Sequence, residues 1–319
     1  TRATLNFNTK QMMQTIRLLI VSGSMLCSTW FVSAQQDEQL SLYNQNPLYY
    51  NPAYAGSRQS ISFVSLARFQ WVSFSGAPQS QWFSVHSPLL GNNMGIGAHL
   101  VNDRIGSRNR TSAYVDVSAG IRLNKKNHRL AVGLSGGADF MSFDFSDLNV
   151  TDPNDPYYGQ RFSSTKPNLG AGIYYYGDRH YIGLSTPRIL EAKIKDASQL
   201  VTGLNQRHYF FTAGTVIPLN SVVEWKPSTM IKYTPNAPLT MDFNMNFLFY
   251  DKLWAGVMYR FNESMGVNLI FKIKKSFQVG YGYDFPINGL MRYQQGSHEI
   301  LLTYDFSFKQ LIYNSPRYF

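Results

Sequence analysis

The sequence predicts an all-β fold: a transmembrane, antiparallel, up-and-down β-barrel of about 14 strands, with an irregular N-terminal segment at the periplasmic mouth or in the lumen. Three observations carry this. Apolar and polar residues alternate with period two through most of the 319 residues. The segments so defined run roughly ten to fifteen residues, against five or six in soluble sheets, and crossing a tilted barrel wall takes about nine to eleven. Connections after even-numbered segments are tight, while those after odd-numbered segments include the long ones. Outer-membrane barrels sort turns and loops between two rims in this way, and a β-sandwich has no reason to do so.

Composition points the same way. Aromatic residues make up 15% of the chain and charged residues 15%, where about 25% charged is usual. A sheet whose outer face meets an apolar phase has this balance, and a disordered chain has the opposite one. The formal net charge is +10, but three of the 29 basic residues (Arg2, Lys10, Arg17) precede Gln35, leaving 26 against 19 acidic residues and a net of +7. In sequence these charges are scattered. With no basic helix or base-stacking signature beside them, nucleic acid is excluded as a partner.

The N-terminal elements come first. Met12 to Ala34, MMQTIRLLIVSGSMLCSTWFVSA, places Arg17 ahead of an apolar run that ends in Val32-Ser33-Ala34 before polar QQDEQ. This is expected to be a secretory signal peptide cut after Ala34, with residues 1–11 as upstream non-native sequence. The single cysteine, Cys27, follows Met25 and Leu26 rather than the small residues of a lipoprotein site, so the exported chain is expected to carry no thiol, disulfide or cysteine metal site. No later stretch approaches the roughly 18 to 20 apolar residues of a membrane-spanning helix.

Residues 35–60 form the irregular segment. Within it, NQNPLYYNPAYAGS holds two Asn-Pro pairs, Asn46-Pro47 and Asn51-Pro52, which rule out one continuous helix or central strand. It is also rich in tyrosine, unlike a flexible linker. Tyr49, Tyr50 and Tyr54 are expected to pack on lumen or rim side chains, the Asn-Pro corners to fix turns, and Gly56 to permit a final bend. The segment is thus a candidate plug or partner-docking element.

The barrel itself is expected over 61–308, with strands at about 61–74, 79–89, 94–103, 110–124, 128–145, 166–177, 180–189, 207–219, 222–235, 239–250, 252–262, 264–275, 276–288 and 296–308, and a periplasmic tail at 309–319. In MDFNMNFLFY, Met241, Phe243, Met245, Phe247 and Phe249 oppose Asp242, Asn244 and Asn246. Tight turns are expected at 91–93, 125–127, 177–179, 220–221, 251 and 274–275. Longer loops are expected at DRIGSRN, 146–165, 190–206 and NGLMRYQQ. Only TPRILEAKIKDASQL, in a connection, has a helical look. Phe69, Trp71 and Phe74, and Trp254, Tyr259 and Phe261, are candidates for the interfacial aromatic girdles. Arg68, Asp116, Arg122, Asp242, Arg260, Lys272, Asp284 and Glu299 are candidate lumen charges, since facing lipid would cost each about 2 to 4 kcal/mol at the midplane.

Little suggests catalysis. GNNMGIG, GLSGG and LGAGIYYYG are not phosphate-binding loops, because none is a G-x-G-x-x-G between strand and helix. They read as glycines for bends and close packing in strands. The six histidines show no metal-ligand spacing. TDPNDPYYG offers Asp152 and Asp155 for calcium but reads better as an Asx-Pro turn cluster. Ser84 and His86 share a strand face, as a nucleophile and base would, but no orienting group is assignable. The chain is expected not to be an enzyme and to use no cofactor.

Five stretches, NQNPLYYNPAYAGS, ARFQWVSFSGAPQSQWFSVHSPL, MGIGAHLVNDRIG, KPNLGAGIYYYGDRHYIGLSTPRIL and the terminal SPRYF, resemble the PorP/SprF family of Bacteroidota outer-membrane proteins, in order and over the whole exported chain. The resemblance implies a component of the type IX secretion system, in gliding bacteria serving export or anchoring of large surface adhesins. Its implied partners are outer-membrane lipid and either the periplasmic ring and motor proteins of the system or an adhesin's C-terminal sorting domain. It implies no catalytic residues. The alternative reading is a general diffusion porin.

Overall fold

The computed structural model describes residues 38–89, 93–125, 127–146, 159–195 and 201–306. The signal-peptide reading, the C-terminal tail and the Asp152/Asp155 loop lie outside them. So do the tight turn at 91–92 and the tip at 196–200.

Period-two sequence becomes a wall with two different faces. Its strands are β1 Ile61–Phe69, β2 Gln79–Leu89, β3 Met94–Ile105, β4 Arg108–Arg122, β5 Arg129–Asp144, β6 Arg161–Tyr176 and β7 His180–Thr186. A two-stranded excursion follows, β8 Ala192–Lys195 with β9 Val201–Asn205. The wall resumes with β10 Tyr209–Thr215 and its short continuation β11 Ile217–Pro218, then β12 Val223–Tyr233, β13 Thr240–Phe249, β14 Leu253–Arg260, β15 Ser264–Lys274, β16 Phe277–Pro286 and β17 Ser297–Phe306. Neighbours pair antiparallel in chain order. The ring closes where β1 meets β17, from Ile61↔Phe306 to Phe69↔His298, and is continuous at β10–β12 across the excursion. Counting β10 and β11 as one, this is a closed barrel of 14 strands. Closure leaves no edge, so every wall strand has hydrogen-bonding neighbours on both sides, as a bilayer demands.

Burial alternates residue by residue, as in SMGVNLIFKIK of β15. Val115, Val117, Leu134, Ile173, Leu184, Val257, Val267 and Leu269 form an exposed apolar outer face, whereas the inner face is buried and mixes polar and charged residues with apolar ones such as Leu66, Trp82, Ile270 and Leu301. No helix among the described residues is long and apolar enough to cross a membrane.

Several boundaries differ from expectation, each for a local reason. β1 stops at Phe69 because Trp71 (φ 51°) and Ser73 (φ 77°) turn into the left-handed region. DRIGSRN is no loop: β3 and β4 extend through it around a two-residue turn at Gly106 (φ 53°) and Ser107. Its polar residues read as loop because the inner face is polar too. β6 starts at Arg161, shortening the preceding connection. TPRILEAKIKDASQL is not helical where described; Ala192–Lys195 is a strand of the excursion hairpin. Trp254 is buried and shares the lumen face with Met258 and Arg260 rather than joining a girdle, while Phe69, Phe74 and Phe261 are exposed.

Candidate functional site

The lumen is occupied by the chain's own residues 38–56. Leu40, Leu42, Tyr43, Leu48, Tyr49, Tyr50, Ala53 and Tyr54 are all buried there. The segment folds as three short turns, a 3-10 turn at Tyr43–Gln45, one α-helical turn at Pro47–Tyr50 and a 3-10 turn at Pro52–Tyr54. Each proline opens its turn, where the missing N–H is no loss and the fixed φ suits the helix. The Asn51 side chain caps the third turn by accepting from the Ala53 amide at 3.0 Å and, at its other end, donates to the Ile173 carbonyl of β6 at 3.0 Å.

Three ionic clusters fasten the first part of this plug near the long-loop rim. Glu299, fully buried on β17, accepts from the amides of Ser41 (2.7 Å) and Leu42 (2.8 Å) and pairs with Arg68. Arg68 also reaches Asp284 at 2.7 Å, and the Ser41 hydroxyl donates to Asp284 at 2.6 Å. Arg260 holds Asp242 through two parallel bonds, Nε to Oδ1 at 2.8 Å and Nη2 to Oδ2 at 2.9 Å, and donates to the Leu40 carbonyl at 3.3 Å. Glu38 takes Arg110, accepts from the Tyr49 hydroxyl at 2.9 Å, and lies 3.8 Å from Arg188. Such pairs are tolerable in a dry interior only because each charge is matched and hydrogen-bonded.

The last part sits toward the short-turn rim in a seat made of glycines. A β-carbon on Gly133 would stand 2.2 Å from the Ala53 nitrogen, one on Gly172 2.1 Å from Asn51 Oδ1, and one on Gly95 2.2 Å from the Ala55 oxygen. Real side chains never approach so closely, so the wall must lack them here. These glycines come from GNNMGIG, GLSGG and LGAGIYYYG, which gives those strings a physical reason. Gly56 itself has φ 69° and its own missing Cβ faces the Gly95 α-carbon. Ser118 donates to the Ala55 carbonyl at 2.7 Å. At the mouth, burial works against the Arg58 charge, but the Tyr54 hydroxyl and Asp305 beside it outweigh burial and hold its pKa above the ordinary guanidinium value.

Aromatic edges fill the remaining gaps. Tyr49 meets Tyr50, Trp82 and His99 edge-on, with centroids 4.8, 6.2 and 5.9 Å away, and Tyr54 meets His86 and Tyr174 at 5.1 and 5.5 Å. Such pairs add roughly 0.5 to 1.5 kcal/mol each beyond burial. A cavity left between plug and wall beside Gln39, Tyr50, Phe210 and Met230 measures about 10 Å³, room for one water molecule.

Of the plug candidates, Asn46, Tyr49, Tyr50, Asn51, Pro52 and Tyr54 are buried and Pro47 partly so. The Asn46 side chain makes no hydrogen bond among the described residues. Of the lumen candidates, Arg68, Asp242, Arg260, Asp284 and Glu299 belong to the clusters above, and Asp116 pairs with His99 at 2.8 Å. Arg122 and Lys272 stand instead at the short-turn rim: Arg122 is exposed and donates to the carbonyls of Asn124 and Lys125, and Lys272 bonds Asp251 at 2.6 Å. Ser84 is buried with its hydroxyl unpaired among the described residues, and His86 Nδ1 accepts from the Gly56 amide at 3.1 Å, which ties His86 to the plug. Glu38 and Ser41 of the plug and Arg110 and Arg188 of the barrel were not singled out in the sequence. Their one signal is polarity, which many residues of the plug and the inner wall share.

A closed 14-strand wall with an apolar outer face and a filled polar lumen defines an outer-membrane β-barrel protein of the plugged kind. The family model described as type IX secretion system membrane protein PorP/SprF matches residues 32–304, and the chain belongs to that family. No curated protein matches the chain. Among solved structures it is similar to the CymD monoaromatic hydrocarbon channel, with TM-score 0.52 and 12% identity over 83% of this chain and 93% of that one. It is also similar to a Pseudomonas aeruginosa FadL homologue (TM-score 0.42, 10% identity, 88% and 96% covered) and to the KdgM porin (0.38, 10%, 77% and 99%). At these identities the likeness to CymD shows the barrel fold alone, and the other two add nothing to it. Family and fold are of a secretion or channel kind, and they put the protein in the outer membrane as a type IX secretion component.

Proposed function

We propose that the protein is a non-enzymatic, non-conducting structural component of type IX secretion, which supports export or surface anchoring of cargo by binding other proteins: periplasmic ring and motor subunits, or the C-terminal sorting domain of a large adhesin. The observation that carries this over a diffusion porin is the lumen filled by residues 38–56 and tied to Arg68, Arg110, Arg260, Asp284 and Glu299 of the wall. A solute pore needs an open polar path, and the plug's bonds to β1, β4, β14, β16 and β17 support the reading of a blocked one. With most of 40–56 buried, the aqueous surface left for partners among the described residues is the two rims.

The test pairs conductance with cargo display. Purified protein in planar bilayers is expected to show no steady open current, and deleting the gene is expected to remove one or more type IX cargoes from the cell surface. A steady, large conductance of the intact protein would favour the porin. Normal display of every cargo without the gene would overturn the secretion role.

A further inference from the structure

Charges that look scattered in the sequence are sorted by the fold. The connections β4–β5, β6–β7, β13–β14 and β15–β16 all lie on the short-turn rim, and six basic residues are exposed there: Arg122, Lys125, Arg179, Lys252, Lys274 and Lys275. Among the described residues of this rim two acidic residues are exposed, Asp178 and Asp251, and Asp251 is engaged by Lys272. On the long-loop rim the described exposed charges nearly balance, with Arg104, Arg161 and Arg292 against Asp144 and Glu191, and Arg161 pairs with Asp144 at 3.1 Å. Among the described residues the surplus of exposed positive charge therefore belongs to one rim, the one that faces the periplasm in outer-membrane barrels.

The phase of the strands decides which neighbour the charges meet. Ile121 and Leu123 of the β4 end, and Phe271 and Ile273 of β15, form the exposed apolar set. Arg122 alternates with Ile121 and Leu123 and so stands on the mouth side of the wall, away from lipid, whereas the β-bulge between Lys272 and Lys274 breaks the alternation and sets Lys274 opposite Phe277 at the rim. The Arg122 guanidinium is held over its turn by the carbonyls of Asn124 (3.0 Å) and Lys125 (2.9 Å). A predominantly positive field offered to the aqueous compartment attracts and orients an acidic protein.

We propose that the short-turn rim is a docking face for a periplasmic protein that presents an acidic surface. This rests on the reading of the chain as a component bound to other proteins, and it names where and by what chemistry one partner attaches. The interaction is electrostatic, so it weakens as salt rises.

The test uses the full chain in phosphatidylcholine nanodiscs with a fluorescent poly-glutamate peptide as probe. Binding is expected to be saturable and salt-sensitive, to fall at least about tenfold in Lys125→Glu/Arg179→Glu/Lys274→Glu/Lys275→Glu, and to persist in Arg104→Glu/Arg161→Glu/Arg292→Glu. Retained heat-modifiable gel mobility reports that each variant is still a barrel. Equal loss in both variants, or loss in neither, overturns the docking face. In cells, a photo-crosslinking residue at Lys125, exposed on the β4–β5 turn, is expected to capture a defined acidic periplasmic protein, and adducts with phospholipid alone overturn the proposal. The two readings fail separately: normal cargo display by the rim-reversed variant in a strain whose deletion abolishes display sinks the docking face and leaves the secretion role standing.

Discussion

Gly133 and Ala53 touch through their backbones, so closely that a β-carbon on Gly133 would lie 2.2 Å from the Ala53 nitrogen and 2.4 Å from the Pro52 carbonyl carbon. One missing side chain on β5 thus admits the third turn of the plug. Gly133→Val is expected to leave the wall intact, because valine suits a strand, while forcing residues 52–56 out of their seat. The check is limited proteolysis: cleavage between 40 and 60 in a barrel that keeps its heat-modifiable mobility, with new conductance in bilayers. A variant as protease-resistant as the native chain would show that the seat yields more easily than its geometry indicates.

The Arg260–Asp242 pair predicts a thermodynamic cycle. Both side chains are almost fully buried, and removing one partner strands the other charge at a cost of about 3 to 5 kcal/mol. Arg260→Met alone and Asp242→Asn alone are each expected to destabilise the fold by that amount in urea titration in detergent. The double variant is expected to recover most of it. Additive losses would mean that the pair stabilises through packing rather than charge.

Asn51→Ala removes the cap of the Pro52–Tyr54 turn and the bond to the Ile173 carbonyl. Each is worth about 1 kcal/mol, so hydrogen exchange at residues 53–56 is expected to quicken by roughly one to two decades while the amides of β5 and β6 stay protected. Uniform deprotection of wall and plug together would mean that the two unfold as one unit.

Leu134 is 62% exposed on β5, at the lipid face between the two rims. Leu134→Arg is expected to cost about 2 to 4 kcal/mol in lipid. The same change in a detergent that hydrates the belt should cost little, and that contrast between vesicle and micelle unfolding separates a lipid-facing residue from a lumen-facing one.

How much of this the sequence disclosed follows from the range of each interaction. Alternation across a lipid–lumen wall is local, so 14 strands were legible from period two in segments such as MDFNMNFLFY, and the plug was legible as a segment because two Asn-Pro pairs and clustered tyrosines are also local. Where both faces of a strand end were polar, as at Asp103 to Arg110, strand and loop looked alike and β3 and β4 were cut short. The excursion hairpin was read as helical because AKIKDASQL lacks alternation. Membership of the charge clusters was out of reach: Glu299 and Ser41 are separated by 258 positions, and nothing in either neighbourhood names the other. The glycine seat was visible as three strings of glycines, but only the folded backbone tells that Gly133 faces Ala53 and Gly172 faces Asn51.

Those long-range bonds also set an order of events. The amides of Ser41 and Leu42, at the start of the described chain, end on Glu299 in β17, the last of the described wall strands in chain order. β17 is also the strand that zips onto β1. The plug's deepest anchor therefore cannot exist until the final strand arrives, and once the seam has closed residues 38–42 are walled in. Seating of the plug and closure of the ring are one cooperative step, late and slow because the loop to be closed spans 258 positions. A chain stalled before that step exposes both an unpaired β1 edge and a loose aromatic segment, the state that a periplasmic chaperone would have to shelter.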